Sequence, residues 1–380
     1  MHVVVDARYI ARRQSGVGAY AQRLIGALAT IDARNRYTCI VAANGPGLPV
    51  VQENVATWPT RVSFEDHLRG DLWLLAYLPL RLRRLGTDVY HGPAVFLPHV
   101  KLGYRTVVTI HDLVSFLFPG TVPRKYSLYM RLMTRLATRS ADRIIAVSEA
   151  TKADLERTLG VPAAKIVVIH EAVGPEFARP LAPGAVAAVA DRYGLRSPYC
   201  LFVGNLEPRK NLPGLIEAFA EVRRRLAGAA RPPQLVLAGT RAWLHAGIFQ
   251  AVEAHGLGDD IVFTDYVPIA DLPALYAGAT CFVFPSLYEG FGLPVLEAMA
   301  AGTPVVAARV GSIPEVAGDA ALLVDARASG ELATAIETLL TDAALRERLI
   351  ARGRARAARF DWETVARQTL AVYDAAHRGR

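Results

Sequence analysis

TCFVFPSLYEGFGLPVLEAMAAGTP, residues 280–304, carries a strand, a turn and a helix in direct succession. The run from Cys281 to Phe284 is short, aromatic and β-branched and stops at Pro285, which predicts a buried strand. The turn Glu289-Gly290-Phe291-Gly292 follows. A helix is predicted to open at Leu293, because Pro294 fits a first helical turn and Gly302-Thr303-Pro304 is a stop signal. A glycine turn between a strand end and a helix start presents unpaired backbone N–H groups to an anion.

Two acids complicate a plain phosphate cradle. Glu289 lies in the turn, and Glu297 shares a helix face with Leu293 and Ala300, which directs it inward. Ionised carboxylates only accept hydrogen bonds, so they suit the hydroxyls of a ribose or hexose and repel a phosphate. A ligand with both phosphates and sugars satisfies both halves of the stretch. The simpler alternative is that Glu297 complements the helix dipole and Glu289 is solvated.

Working outward, strand and helix alternate along the whole chain. In the second half Tyr199–Gly204 is a strand, Asn205–Lys210 a turn, and Asn211 an expected N-cap for a helix bearing Leu215, Ile216 and Phe219. Arg209 and Lys210 then stand just before a helix N-terminus, where a forked guanidinium and a point-charge ammonium can hold a diphosphate; a solvated basic turn is the alternative. Further strands are expected at 234–239, 261–267, 305–308 and 321–324. In the first half, strands are expected at 2–7, 37–43, 105–112, 143–148 and 165–169, with loop over 44–70. Gly16 and Gly18, in the SGVG run at 15–18, lead into a helix with Tyr20, Leu24, Leu28 and Ile31. His111 and Asp112 end the third of these strands, where open parallel sheets place ligands; a structural pair is the alternative, and no third and fourth ligand stand at metal-site spacing.

The 380 residues exceed one ordinary core. The alternation favours two doubly wound, Rossmann-like α/β domains facing across a cleft. Three prolines between Gly174 and Gly184 mark the linker. The expected division is an N-terminal domain, 1–173, and a C-terminal domain, 174–361. At 52% hydrophobic and 21% charged the chain is globular. Cys39, Cys200 and Cys281 are dispersed and odd in number, which favours a reducing, cytoplasmic compartment. Neither a signal peptide nor a membrane-spanning run is expected.

Charge is uneven. Residues 1–190 hold 23 Lys and Arg against 14 Asp and Glu, whereas 191–380 hold 20 against 21. The asymmetry suggests an anionic partner for the basic half: a membrane surface, a phosphorylated acceptor or nucleic acid. DLWLLAYLPLRLRRL, residues 71–85, reads either as an interfacial helix or as a core helix with a basic end, kinked at Pro79. No nucleic-acid motif or stacking platform is present, so no nucleic acid is expected as partner.

Together, EGFGLPVLEAMAAGTPVV, GNLEPRKN at 204–211, the SGVG run, VVTIHD at 107–112 and the closing FDWETVARQTL resemble the retaining glycosyltransferases of family 4, of GT-B fold. TIHDL, LEPRKN and SLYEGFGLPVLEAMA look most like their O-antigen mannosyltransferase branch. The resemblance implies that Arg209 and Lys210 grip the donor diphosphate, Glu297 the ribose and Glu289 the transferred sugar. It implies that Gly290, Phe291, Gly292 and Leu293 line sugar and phosphate through backbone amides, and that Tyr266 and Val267 frame the base. His111 is implied to hydrogen-bond the donor sugar, with Gly16 and Gly18 admitting the phosphates.

The implied reaction is metal-independent hexose transfer from a sugar nucleotide, GDP-mannose on the branch resemblance, with a UDP-hexose or another GDP-sugar as alternative. No cofactor is implied beyond that donor. The implied acceptor is a glycan or lipid-linked oligosaccharide at the cytoplasmic membrane face, in surface polysaccharide assembly. A final helix, about 362–380, is expected to cross back onto the first domain. The chain departs from the family at His170-Glu171-Ala172-Val173, where relatives often carry a Pro and a Gly-containing turn. Rival readings are a non-catalytic basic membrane or nucleic-acid binding protein, a phosphorylase and an epimerase.

Overall fold

The computed structural model describes residues 1–11, 16–48, 52–62 and 67–379. The chain divides into two compact units. One comprises 1–116, 128–171 and 361–380, the other 117–127 and 172–360.

The first unit contains β1 (His2–Asp6), β2 (Arg36–Ala42), β3 (Val55–Thr60), β4 (Val89–Gly92), β5 (Arg105–Ile110), β6 (Arg143–Ala146) and β7 (Ile166–Val168). They form one parallel sheet in the order β3-β2-β1-β4-β5-β6-β7. The second unit contains β8 (Tyr199–Val203), β9 (Gln234–Ala238), β10 (Ile261–Asp265), β11 (Cys281–Phe284), β12 (Val305–Ala308) and β13 (Ala321–Val324), parallel in the order β10-β9-β8-β11-β12-β13. The expected doubly wound sheets are both present. Each reverses direction once, between β1 and β4 and between β8 and β11. At such a reversal the flanking connections leave opposite faces of the sheet and open a crevice at the strand carboxyl ends.

The helix after β11 runs Leu293–Ala301 and stops at Gly302, whose φ of +82° is a left-handed cap, as the sequence predicts. Other details differ from expectation. β3 lies within the stretch expected as loop. It is an edge strand, largely exposed, and carries Pro59, which an edge tolerates because one side needs no donors. β4, VYHG, was not expected, yet it is central and fully buried. Asn211 does not cap with its side chain: it adopts φ +53°, and its Nδ2 donates to the Ala326 carbonyl at 2.7 Å. Around Pro79 the helix Leu78–Arg84 is preceded by a π-helical turn, Trp73–Tyr77, closed by an i→i+5 bond from the Leu78 amide to the Trp73 carbonyl just before the ring that lacks an N–H. Ser15 lies outside the described residues; the helix that follows begins at Gly16.

The helix Trp362–Arg378 belongs to the first unit. There the hydroxyl of its Tyr373 meets His91 Nδ1 at 2.6 Å, while His91 Nε2 meets Thr109 Oγ1 at 2.9 Å. Fully buried polar groups need such partners, because an unpaired one costs about 1–3 kcal/mol.

Candidate active site

β8 and β11 are neighbours at the reversal of the second sheet, so the loops leaving them run side by side. The Leu287 amide donates to the Arg209 carbonyl at 2.8 Å, tying one loop to the other. Pro208–Lys210 forms a single 3-10 turn. It aims two consecutive cations at the turn after β11.

Lys210 Nζ donates to Glu289 Oε1 at 2.6 Å, and Arg209 Nη1 lies 2.8 Å from Glu289 Oε2. Arg209 is held from behind. Its Nε and Nη2 donate to Glu207 Oε1 at 3.1 and 2.7 Å, and Nη1 also reaches the Tyr288 carbonyl at 2.8 Å. The Lys210 ammonium sits 4.7 Å above the Phe284 ring, a cation–π contact with the end of β11. Glu207, Lys210 and Glu289 are all buried. Burial alone pushes the Glu289 carboxyl up, but Arg209 and Lys210 outweigh it and hold it at about 2. Burial and the neighbouring Arg209 push the Lys210 ammonium below the ordinary amine value, with Glu289 opposing.

The Glu289 turn is fixed by close packing. The Ser312 hydroxyl donates to the Phe291 carbonyl at 2.7 Å, and the Ser312 amide to the Glu289 carbonyl at 3.2 Å. Gly311 has φ +51°, and a Cβ there would stand 2.3 Å from the Glu289 carbonyl oxygen. Only glycine fits. Gly292 has φ +94° and opens the helix that carries Glu297. Glu297 is buried, as its inward direction predicts, and its Oε2 accepts from the Tyr276 hydroxyl at 2.9 Å.

The structure therefore joins Arg209, Lys210 and Glu289 in one network, continuous in chain with Gly290, Phe291, Gly292, Leu293 and Glu297. Tyr266 and Val267 follow β10, separated from β8 by β9. His111, Gly16 and Gly18 belong to the first unit. There His111 follows β5, with Nδ1 2.7 Å from Glu171 Oε1 and Nε2 2.8 Å from the Pro93 carbonyl oxygen. Gly16 is exposed and Gly18 buried in the first turn of their helix. Sequence reasoning overlooked Glu207, Tyr276, Ser312 and the partnership of Glu171. Of these only Glu207 left a usable signal, two residues before Arg209 in LEPRKN.

Among the described residues no group of three or more His, Cys, Asp or Glu side chains could hold a metal ion, and no helix is long and apolar enough to cross a membrane.

Residues 14–177 match the family model "Glycosyltransferase Family 4", and residues 193–356 match "Glycosyl transferases group 1". The chain is 39% identical over 312 residues to O-antigen chain mannosyltransferase B of Escherichia coli, covering 81% of this chain and 77% of that one. The chain belongs to the family 4 glycosyltransferases. A second relative of this glycosyltransferase, serotype-specific mannosyltransferase WbdA of Escherichia coli, is 31% identical across 72% of this chain and 34% of its own length. Sucrose-phosphate synthase from Thermosynechococcus elongatus superposes with a TM-score of 0.80 at 22% identity over 100% of both chains, which places the glycosyltransferase in the GT-B fold. As a glycosyltransferase it acts on a sugar donor. The cationic cluster beside two buried acids is chemically matched to a donor that combines phosphates with hydroxyls.

Proposed function

We propose that this glycosyltransferase moves mannose from GDP-mannose, with retained configuration, onto a glycan or lipid-linked acceptor in surface polysaccharide assembly. The observation that carries the reading is the Arg209–Lys210–Glu289 network at the sheet reversal. The mannosyl donor rests on the likeness to the O-antigen chain mannosyltransferase.

In this reading Arg209 and Lys210 bind the donor diphosphate and stabilise the charge that grows on it as the sugar departs, the electrostatic contribution that dominates such reactions. Amides at Gly290–Leu293 add dipoles to the same end. Glu289 accepts from hydroxyls of the transferred sugar, Glu297 from the ribose, Tyr266 and Val267 frame the base, and His111 serves the donor sugar. Gly16 and Gly18 let backbone approach the phosphates. The bond from C1 to the phosphate oxygen breaks, the acceptor oxygen bonds C1 on the same face, and the acceptor proton passes to the leaving phosphate oxygen. Glu289 accepts from sugar hydroxyls in this reading, which leaves the departing phosphate oxygen as the proton acceptor. Arg209 and Lys210 supply the positive charge that a metal ion would otherwise bring.

The first unit also presents Leu72, Leu75, Tyr77 and Leu80 to solvent beside the exposed Arg81, Arg83 and Arg84. Leucines that immerse and arginines that meet phosphates favour peripheral attachment to an anionic membrane, where a lipid-linked acceptor resides.

The test is to incubate the purified protein with GDP-mannose, other GDP-sugars and UDP-hexoses, with and without lipid-linked acceptor, and to read product configuration by NMR. Retained mannosyl transfer from GDP-mannose is expected. An inverted product, a trapped covalent glycosyl-enzyme or transfer from UDP-hexose alone contradicts the corresponding part.

A further inference from the structure

His111 is held at both ring nitrogens by oxygens. The Pro93 carbonyl, 2.8 Å from Nε2, has no proton to give, and an ionised Glu171 carboxylate, 2.7 Å from Nδ1, has none either. An imidazole that satisfies both donates from both nitrogens and is therefore a cation. The other groups facing the ring fit this. Tyr20 packs edge-on at 4.9 Å between centroids, and Asp112 adjoins in the chain. His91 lies near, but burial chiefly, with His111 adding, pushes it down to about 3, so it stays neutral. For His111 itself burial opposes the charge, yet the Glu171 hydrogen bond and charge prevail, and it titrates above the ordinary imidazole value.

Glu171 is well placed to hold a partner still. It follows β7, with the Ile169 amide bonded to the Ala146 carbonyl at 3.0 Å, and Ile169 and Ala172 on either side are buried. Resting on the sugar-transfer reading above, we propose that Glu171 is a positioning residue that locks Nδ1–H and keeps His111 an imidazolium. Because the ring is rigid, the same lock fixes the direction of Nε2–H, now on the Pro93 carbonyl, where a donor-sugar oxygen can share the proton as a second acceptor. A neutral amide in place of Glu171 could orient the ring but could not hold its second proton. This gives the departing segment His170–Val173 a chemical role.

The test uses full-length protein carrying 15N-labelled histidine. Without substrate, His111 should show two protonated nitrogens at pH 7; a singly protonated ring there overturns the proposal with no substitution needed. In Glu171→Gln the His111 titration should move to lower pH, and the pH at which kcat falls on the alkaline side should move with it. At neutral pH kcat should drop roughly tenfold while KM for the sugar nucleotide changes little. Glu171→Asp should restore much of both. An unchanged titration in Glu171→Gln, or a moved titration with an unmoved kcat profile, overturns the proposal. Failure of the unsubstituted protein to transfer from any sugar nucleotide instead overturns the reaction reading. That outcome is distinguishable, because the imidazole titration is measured without substrate.

Discussion

Lys210 and Glu289 meet at 2.6 Å from loops that leave different strands, and both are buried. With Arg209 and Glu207 they make a cluster of two cations and two anions. On the proposed reading, a diphosphate entering it would compete with Glu289 for the same donors, and Glu289 released from them would accept from sugar hydroxyls. Binding of phosphate and engagement of sugar would then be coupled through one carboxylate.

Glu289→Gln removes the internal competitor while keeping the shape. Nucleoside diphosphate should bind roughly three- to tenfold more tightly, and sugar transfer should fall by about a hundredfold or more. Calorimetry and initial rates check the two halves; weaker diphosphate binding would contradict the coupling.

Arg209→Ala and Lys210→Ala should each weaken diphosphate binding by about 1.5–3 kcal/mol, the range for charge-assisted hydrogen bonds, while leaving nucleoside binding nearly untouched. Equal losses for nucleoside and nucleoside diphosphate would contradict a phosphate-gripping role.

Acid stability follows from Glu289. Its folded pKa of about 2 lies below the ordinary 4.5, so it contributes stability above the ordinary value that is lost as pH falls from about 4.5 toward 2. At 1.36 kcal/mol per unit this is on the order of 3 kcal/mol. Unfolding of the parent protein, followed by urea titration, should become easier across that window. The Glu289→Gln variant should show a flatter profile there.

Gly311→Ala puts a methyl within 2.3 Å of the Glu289 carbonyl oxygen at a φ that alanine rarely adopts. It should lower stability by about 1–3 kcal/mol and also reduce transfer, because the turn that aims Glu289 must shift. Thermal melts and rates check this, and a melt unchanged from the parent would show that the turn yields freely.

Replacing Leu75, Tyr77 and Leu80 by Ser should reduce sedimentation with anionic vesicles while leaving transfer to a soluble acceptor unchanged. Equal binding of parent and variant would remove that surface from the membrane reading.

Much of this was legible in the sequence because local chemistry dictated it. Cys281–Phe284, the glycine turn and the helix from Leu293 to Ala301 each carry their own start and stop signals. β3 was not legible, since an exposed edge strand with Pro59 has no apolar pattern, and β4 is too short to show one. Asn211 was read as a cap from its type alone; a carbonyl at Ala326, distant in the chain, claims its side chain instead. That Lys210 would pair with Glu289 depends on β8 lying next to β11, and strand order is set by packing that no local window contains. His111–Glu171 is illegible for the same reason.

The helix Trp362–Arg378 has one more consequence, for biosynthesis. It supplies Tyr373 to His91, so a sheet formed by early residues is completed by residues more than two hundred positions downstream, after the whole second unit. While the ribosome is still reading the second unit, the nascent first sheet carries a buried imidazole without its phenol and an uncovered apolar flank. Chaperone attachment should concentrate in that interval and end when the helix Trp362–Arg378 emerges.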